Sequence, residues 1–131
     1  MATRFLPPAL LIINGLLYAW VAWLFISAPL TWFRALEISW RASAGFTELR
    51  AAYIGLMAAL AVFFLLCAWK RSWQMPGLAM MAVSYITLVA SRSWGILVEQ
   101  AYNTLILQIY IAEWFGLLLS LLAIFVARRS H

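Results

Sequence analysis

Four charged side chains stand where charge is costly. Arg50, Arg92 and Glu113 fall inside long apolar runs, and Glu48 sits at the boundary of one. A charged group in a bilayer core costs about 2–4 kcal/mol on insertion scales and usually faces the protein interior. Depth groups these residues together. At ~1.5 Å per helical residue, Arg92 lies ~9 Å below the outer end of its run at Val98, Glu113 ~12 Å below the outer end of its own at Leu105, and Arg50 within about one turn of the outer end of its run. Two Arg and two Glu at one level sum to zero charge. Arg92 and Glu113 are expected to pair, since each offsets the other's desolvation. The set Arg50, Tyr53, Arg92, Glu113 and Glu48 is therefore the candidate ligand-binding site. In it Arg92 would receive an anionic or carbonyl group, and Glu113 would orient Arg92 or bind a donor.

Other chemistries have few residues to draw on. Cys67 is the one cysteine, so no intrachain disulfide or thiolate cluster can form, and inside an apolar run it reads as a small hydrophobe. The one histidine, His131, follows Arg128 and Arg129 at the chain's end. No other residue could serve as a His ligand to haem or zinc, so neither a metal site nor a cofactor is expected. The hydroxyls of Ser and Thr read as packing and backbone-bonding groups.

These residues need elements to carry them, and the composition states which. Of 131 residues, 67% are hydrophobic and 10% charged, with a mean hydropathy of +0.97. Soluble domains are about half apolar and about a quarter charged. The gap excludes an ordinary cytosolic globule, a disordered chain and a nucleic-acid module. Net charge is +5, from nine Arg and Lys against four Glu, with no Asp. In a lipid-soluble chain that excess reports orientation rather than a polyanionic partner.

Four apolar windows reach the ~20 residues that a spanning helix needs: 6–26, 49–69, 77–98 and 105–127. No linker, low-complexity tract or internal repeat separates them, so the fold class is an all-α integral membrane four-helix bundle in a single domain, 1–131. The first window is longer than a signal-peptide core and carries Tyr18, Trp20 and Trp23 near its end. It reads as an uncleaved helix with Pro7 and Pro8 at its start, where missing amide donors matter little. With both termini cytoplasmic, Arg4, Lys70, Arg71, Arg128 and Arg129 lie inside, leaving Arg34 and Arg41 outside, as the positive-inside rule favours. Trp69 and Trp73 then belt the inner face, and Trp20, Trp23, Trp32, Trp40 and Trp94 the outer. The expected location is a bacterial inner membrane.

Between the first two windows, residues 30–41 have helical amphipathicity. Thr31, Arg34, Glu37 and Arg41 share one face; Trp32, Phe33, Leu36 and Trp40 share the other. Glu37 and Arg41 form an i,i+4 pair in the favourable order. This predicts a short interfacial helix, its aromatics dipped into the headgroup boundary. Each span also has one face suited to an interior: Asn14, Tyr18 and Phe25 with Gly15 and Ala22 on the first; Ser84, Thr87, Ser91 and Gly95 on the third, with Arg92 and Tyr85 flanking; Glu113, Gly116 and Ser120 on the fourth. On the second, Ala51, Ala52, Gly55 and Ala59 make a small-residue face that includes Glu48, with Arg50 and Tyr53 opposite. Arg50 either reaches the outer surface or meets another subunit.

The run Glu48-Leu49-Arg50-Ala51-Ala52-Tyr53-Ile54-Gly55 resembles the Glu-x-Arg-Ala-x-Tyr-Gly-Gly signature of a family of small four-helix bacterial membrane proteins of unknown function. In that family the third helix carries an Arg near its outer end and the fourth a Glu, positions matched here by Arg92 and Glu113. Ile54 departs from the first Gly. The resemblance implies the four-helix membrane fold and adds no known activity to it.

The functional expectation is a binding or accessory membrane protein that takes a lipid-like or amphipathic ligand at the Arg/Glu site in the outer half of the bilayer. Its expected partners are the lipid bilayer, a lipophilic small molecule and further copies of itself, with no nucleic acid. The alternatives are an intramembrane isomerase or cyclase using Glu113 as acid or base, a proton-coupled transporter, and a salt bridge that only fixes helix register. An Arg neighbour argues against the enzyme, and two intramembrane Arg residues oppose cation passage.

Overall fold

The computed structural model describes residues 5–129; Arg4 and His131 lie outside them. The described residues hold helices and no strand. Four of the helices are long and apolar enough to cross a membrane: α1 (Leu6–Ser27), α3 (Ser43–Trp69), α4 (Arg71–Val98) and α5 (Thr104–Arg129). A short helix, α2 (Pro29–Ala35), lies between α1 and α3.

Prolines punctuate the start. Pro7 and Pro8 occupy the first turn of α1, where amides have no intrahelical acceptor. Pro29 ends α1 by keeping Ala28 out of the helical region, with φ −145° and ψ 66°, and then begins α2. The α3–α4 connection is a single extended residue, Lys70, closed by a hydrogen bond from Gln74 Nε2 to the Ala68 carbonyl (3.2 Å). Asn103 caps α5, its Oδ1 accepting from the Ile106 amide (2.9 Å). Its Nδ2 donates to the Ala35 carbonyl (3.2 Å), which ties this loop to the end of α2.

The long helices extend past the apolar windows. α3 starts at Ser43 rather than 49, and α4 at Arg71 rather than 77. Hydropathy marks where a chain is apolar, whereas the polar turns at 43–48 and 71–76 continue the same helices beyond that. Each of the two also carries a π-helical turn, Ala51–Leu56 and Trp94–Val98, and these lie at the same end of the molecule.

The interfacial segment differs more. Its helix stops at Ala35, because Glu37 takes a left-handed conformation (φ 60°). The Glu37 amide then donates to the Arg34 carbonyl and the Ile38 amide to the Phe33 carbonyl, at 2.9 and 2.8 Å. This is the Schellman ending, usually built on Gly. Glu37 and Arg41 consequently share no helix and make no i,i+4 pair. Phe33 is fully buried, packing on Phe25 (5.0 Å), Tyr53 (5.5 Å), Trp40 (5.8 Å) and Phe46 (6.1 Å). The apolar face of α2 therefore packs into the protein.

α1 lies along α3, and α4 along α5, as two antiparallel pairs; α1 also touches α4 and α5. The core joins Leu11, Tyr18, Phe64, Cys67, Leu78, Met81, Tyr85, Leu117 and Ala123. Cys67 meets Gly77 so closely that a Cβ there would stand 2.7 Å from its own. On α1 the predicted face is the buried one: Asn14, Gly15, Tyr18, Ala22 and Phe25. On α5 Glu113 and Ser120 are buried, with Gly116 partly so. On α4 the expected hydroxyl stripe is displaced. Thr87 and Ser91 are exposed, and Leu78, Met81, Ala82, Tyr85 and Val89 face inward. Thr87 Oγ1 donates to the Ser84 carbonyl of its own helix (2.9 Å), so it can turn outward while satisfied. The small-residue face of α3 is also open: Ala51, Ala52, Gly55 and Ala59 are exposed, and nothing beyond the adjoining backbone of its own helix comes within 4 Å of a Cβ placed on Gly55.

Candidate functional site

Glu113 is the one buried charged residue among those described, with 8% of its side chain exposed. Its position follows from α5, which places Glu113, Leu117, Ser120 and Ala123 on one inward stripe at spacings of three and four. Arg92, on α4, meets it from the side and keeps 29% of its side chain exposed. Nε of Arg92 donates to Oε1 of Glu113 in a charge-assisted hydrogen bond. Of the five guanidinium N–H groups, only that one has a protein acceptor among the described residues. The two-pronged Nη end is left open. Oε2 of Glu113 is buried and has no donor.

Two further contacts extend the polar row. Ser93 Oγ and Tyr110 Oη share a hydrogen bond (2.6 Å) one residue from Arg92 and one turn from Glu113. Deeper in the bundle, Tyr85 Oη donates to Asn14 Oδ1 (2.5 Å), joining α4 to α1. Gly116 makes that arrangement possible, because a Cβ there would fall 2.5 Å from the Tyr85 ring. Asn14 is 2% exposed, and its Nδ2 has no acceptor.

Beside this row a cleft of about 170 Å³ opens between α1 and α5, with α4 at its floor. Asn14, Met81 and Tyr85 form the bottom, and exposed Ile13, Leu17, Phe115 and Leu119 form the rims. No charged residue lines it.

The structure brings together only part of the predicted set. Arg92 and Glu113 meet as expected on the α4–α5 pair. Tyr53 is half-buried in the aromatic cluster of the other pair, 4.7 Å from Phe25 and 5.5 Å from Phe33. Arg50 is exposed, its guanidinium carbon 5.4 Å over the Phe46 ring in a cation–π contact. Glu48 is exposed on the same helix. The segment bearing Arg50 and Tyr53 packs on α1, away from Arg92 and Glu113, so shared depth along parallel rods did not mean shared azimuth. Sequence reasoning missed Asn14 and Tyr85 as site residues. The available signal was Asn14 itself, the one side-chain amide in an otherwise apolar run.

Among the described residues, no three His, Cys, Asp or Glu side chains stand together to share a metal ion. No protein-family model matches the chain, and neither curated proteins nor solved structures yield a match.

Proposed function

We propose that this chain is an integral membrane protein of the bacterial inner membrane, a four-span bundle that holds an anionic amphiphile at Arg92 and Glu113 in the outer half of the bilayer. The membrane reading rests on the four long apolar helices and on their outward surface, where Ile13, Trp20, Trp23, Val62, Phe63, Phe115 and Leu118 are exposed. An apolar exterior of that extent has no place in water. Lys70, Arg71, Arg128 and Arg129 gather at one end, which the positive-inside rule assigns to the cytoplasm. The motif Glu48 to Gly55, with Arg92 and Glu113, supports membership of the small four-helix family it resembles.

The observation that carries the binding reading is the open end of Arg92. A pair that served only to fix helix register would gain most by a two-pronged contact, which uses two N–H groups and both carboxylate oxygens. Here Glu113 holds Arg92 by Nε and aims the planar Nη fork away. That fork suits a carboxylate or phosphate oxygen pair. Engagement by Arg92 also favours an orienting role for Glu113 over proton exchange with a substrate.

Native mass spectrometry of protein extracted in mild detergent and exposed to polar lipid extract tests this. The wild type should retain an acidic amphiphile that Arg92→Ala loses. A wild type that retains nothing, or an Arg92→Ala variant that retains the same species, overturns the reading. Self-association is also proposed, through the exposed face of Ala51, Ala52, Gly55 and Ala59, since small residues let helices approach closely in lipid.

A further inference from the structure

We infer that the cleft between α1 and α5 takes the apolar body of that same amphiphile, and that Asn14 selects a body carrying an uncharged oxygen, a hydroxyl or a keto group. The inference rests on the Arg92 reading for the headgroup and adds the class of the tail. Asn14 is 2% exposed, lines the cleft, and leaves Nδ2 without an acceptor. A buried amide donor left unmade costs about 1–3 kcal/mol; Nδ2 itself lies covered beneath the cleft floor, so an oxygen in the cleft gains by meeting it once the Asn14 side chain shifts toward the cleft. Nothing charged lines the cleft, so an ionised group placed there would lose its hydration without a counter-charge. The partner is therefore neutral.

Depth narrows the class. At ~1.5 Å per residue, Asn14 lies ~20 Å from the Ser27 end of α1, while Arg92 lies ~9 Å from the Val98 end of α4. The oxygen sits about 10 Å deeper than the headgroup. Ester carbonyls of a glycerolipid lie too near the phosphate to reach it. A hydroxy or oxo group well along an aliphatic chain has the right separation. The rims are open and apolar, with Ile13 62% and Phe115 64% exposed, so the chain enters sideways from lipid. The cleft's size, about 170 Å³, compares with the ~150 Å³ engineered cavity that takes up benzene; it holds a segment of chain.

Stearate and 10-hydroxystearate are the probes, titrated into wild-type protein in zwitterionic nanodiscs, with empty nanodiscs as the partition baseline. The wild type should bind 10-hydroxystearate about two- to tenfold tighter than stearate, the worth of one hydrogen bond. Asn14→Leu should bind the two equally. Equal affinity in the wild type overturns the inference. Because Asn14→Leu also strips Tyr85 of its acceptor, a second variant guards against misfolding. Ala112→Trp, made at an exposed cleft position, should weaken both ligands at least tenfold by filling the space; unchanged affinity for both overturns occupancy of the cleft. Stearate that binds Arg92→Ala as well as wild type counts against the headgroup site alone and leaves the hydroxyl preference to be read by itself.

Discussion

Arg92 meets Glu113 side-on, through Nε, and so presents the planar end of its guanidinium to whatever lies beyond. Lysine cannot reproduce that arrangement, being a point charge without a fork. Arg92→Lys is therefore expected to keep the fold and lose about tenfold or more in affinity for stearate. Isothermal titration in nanodiscs, beside a thermal melt in detergent, would check it; full affinity in the Lys variant would remove the fork from the account.

Glu113→Gln leaves Arg92 without its counter-ion. Removing one partner of a buried pair costs about 3–5 kcal/mol, and the partial exposure of Arg92 should reduce that to about 1–3 kcal/mol. The expected result is a clear drop in melting temperature. The paired change Arg92→Leu with Glu113→Leu should recover most of it, because no uncompensated charge remains. A double variant as unstable as the single one would contradict this.

Gly116→Ala drives a methyl to 2.5 Å from the Tyr85 ring. Overpacking of this kind costs about 1–3 kcal/mol. Tyr85→Leu, which removes the ring, should relieve much of the loss when combined with it. A thermal-shift cycle over the four proteins measures the coupling, and simple additivity would show that the ring is not where the structure puts it.

The number of the long helices was legible because runs of ~20 apolar residues leave little choice. The inner faces of α1 and α5 were legible for a related reason: Asn14, Tyr18, Glu113 and Ser120 were the few polar groups needing cover. α4 misled because it holds more polar groups than the interior needs. Ser84, Thr87 and Ser91 looked like an inner stripe, yet a hydroxyl that bonds its own backbone, as that of Thr87 does, carries no such need. The end of α2 was hidden because Glu37, rather than Gly, takes the left-handed position. Arg50 and Tyr53 were grouped with Arg92 by depth alone, and depth says nothing of which side of the bundle a residue faces.

The open face of α3 gives a prediction about assembly. If copies associate there, Gly55→Leu should lower the dimer fraction at high protein-to-lipid ratio while the melting temperature of the monomer stays unchanged, since no side chain lies within 4 Å of that position. Mass photometry in nanodiscs reads the fraction directly. A single-chain mass for the wild type at every ratio would refute association.

The central claim is that Arg92, aimed by Glu113, holds an anionic headgroup. Its most direct test is the stearate dissociation constant of the wild type against Arg92→Ala, measured in the same nanodiscs with the empty-disc baseline removed. The account predicts at least a tenfold weakening in Arg92→Ala, with the variant still folded by circular dichroism. Equal constants in the two folded proteins would contradict it and leave the pair as a fastening between α4 and α5.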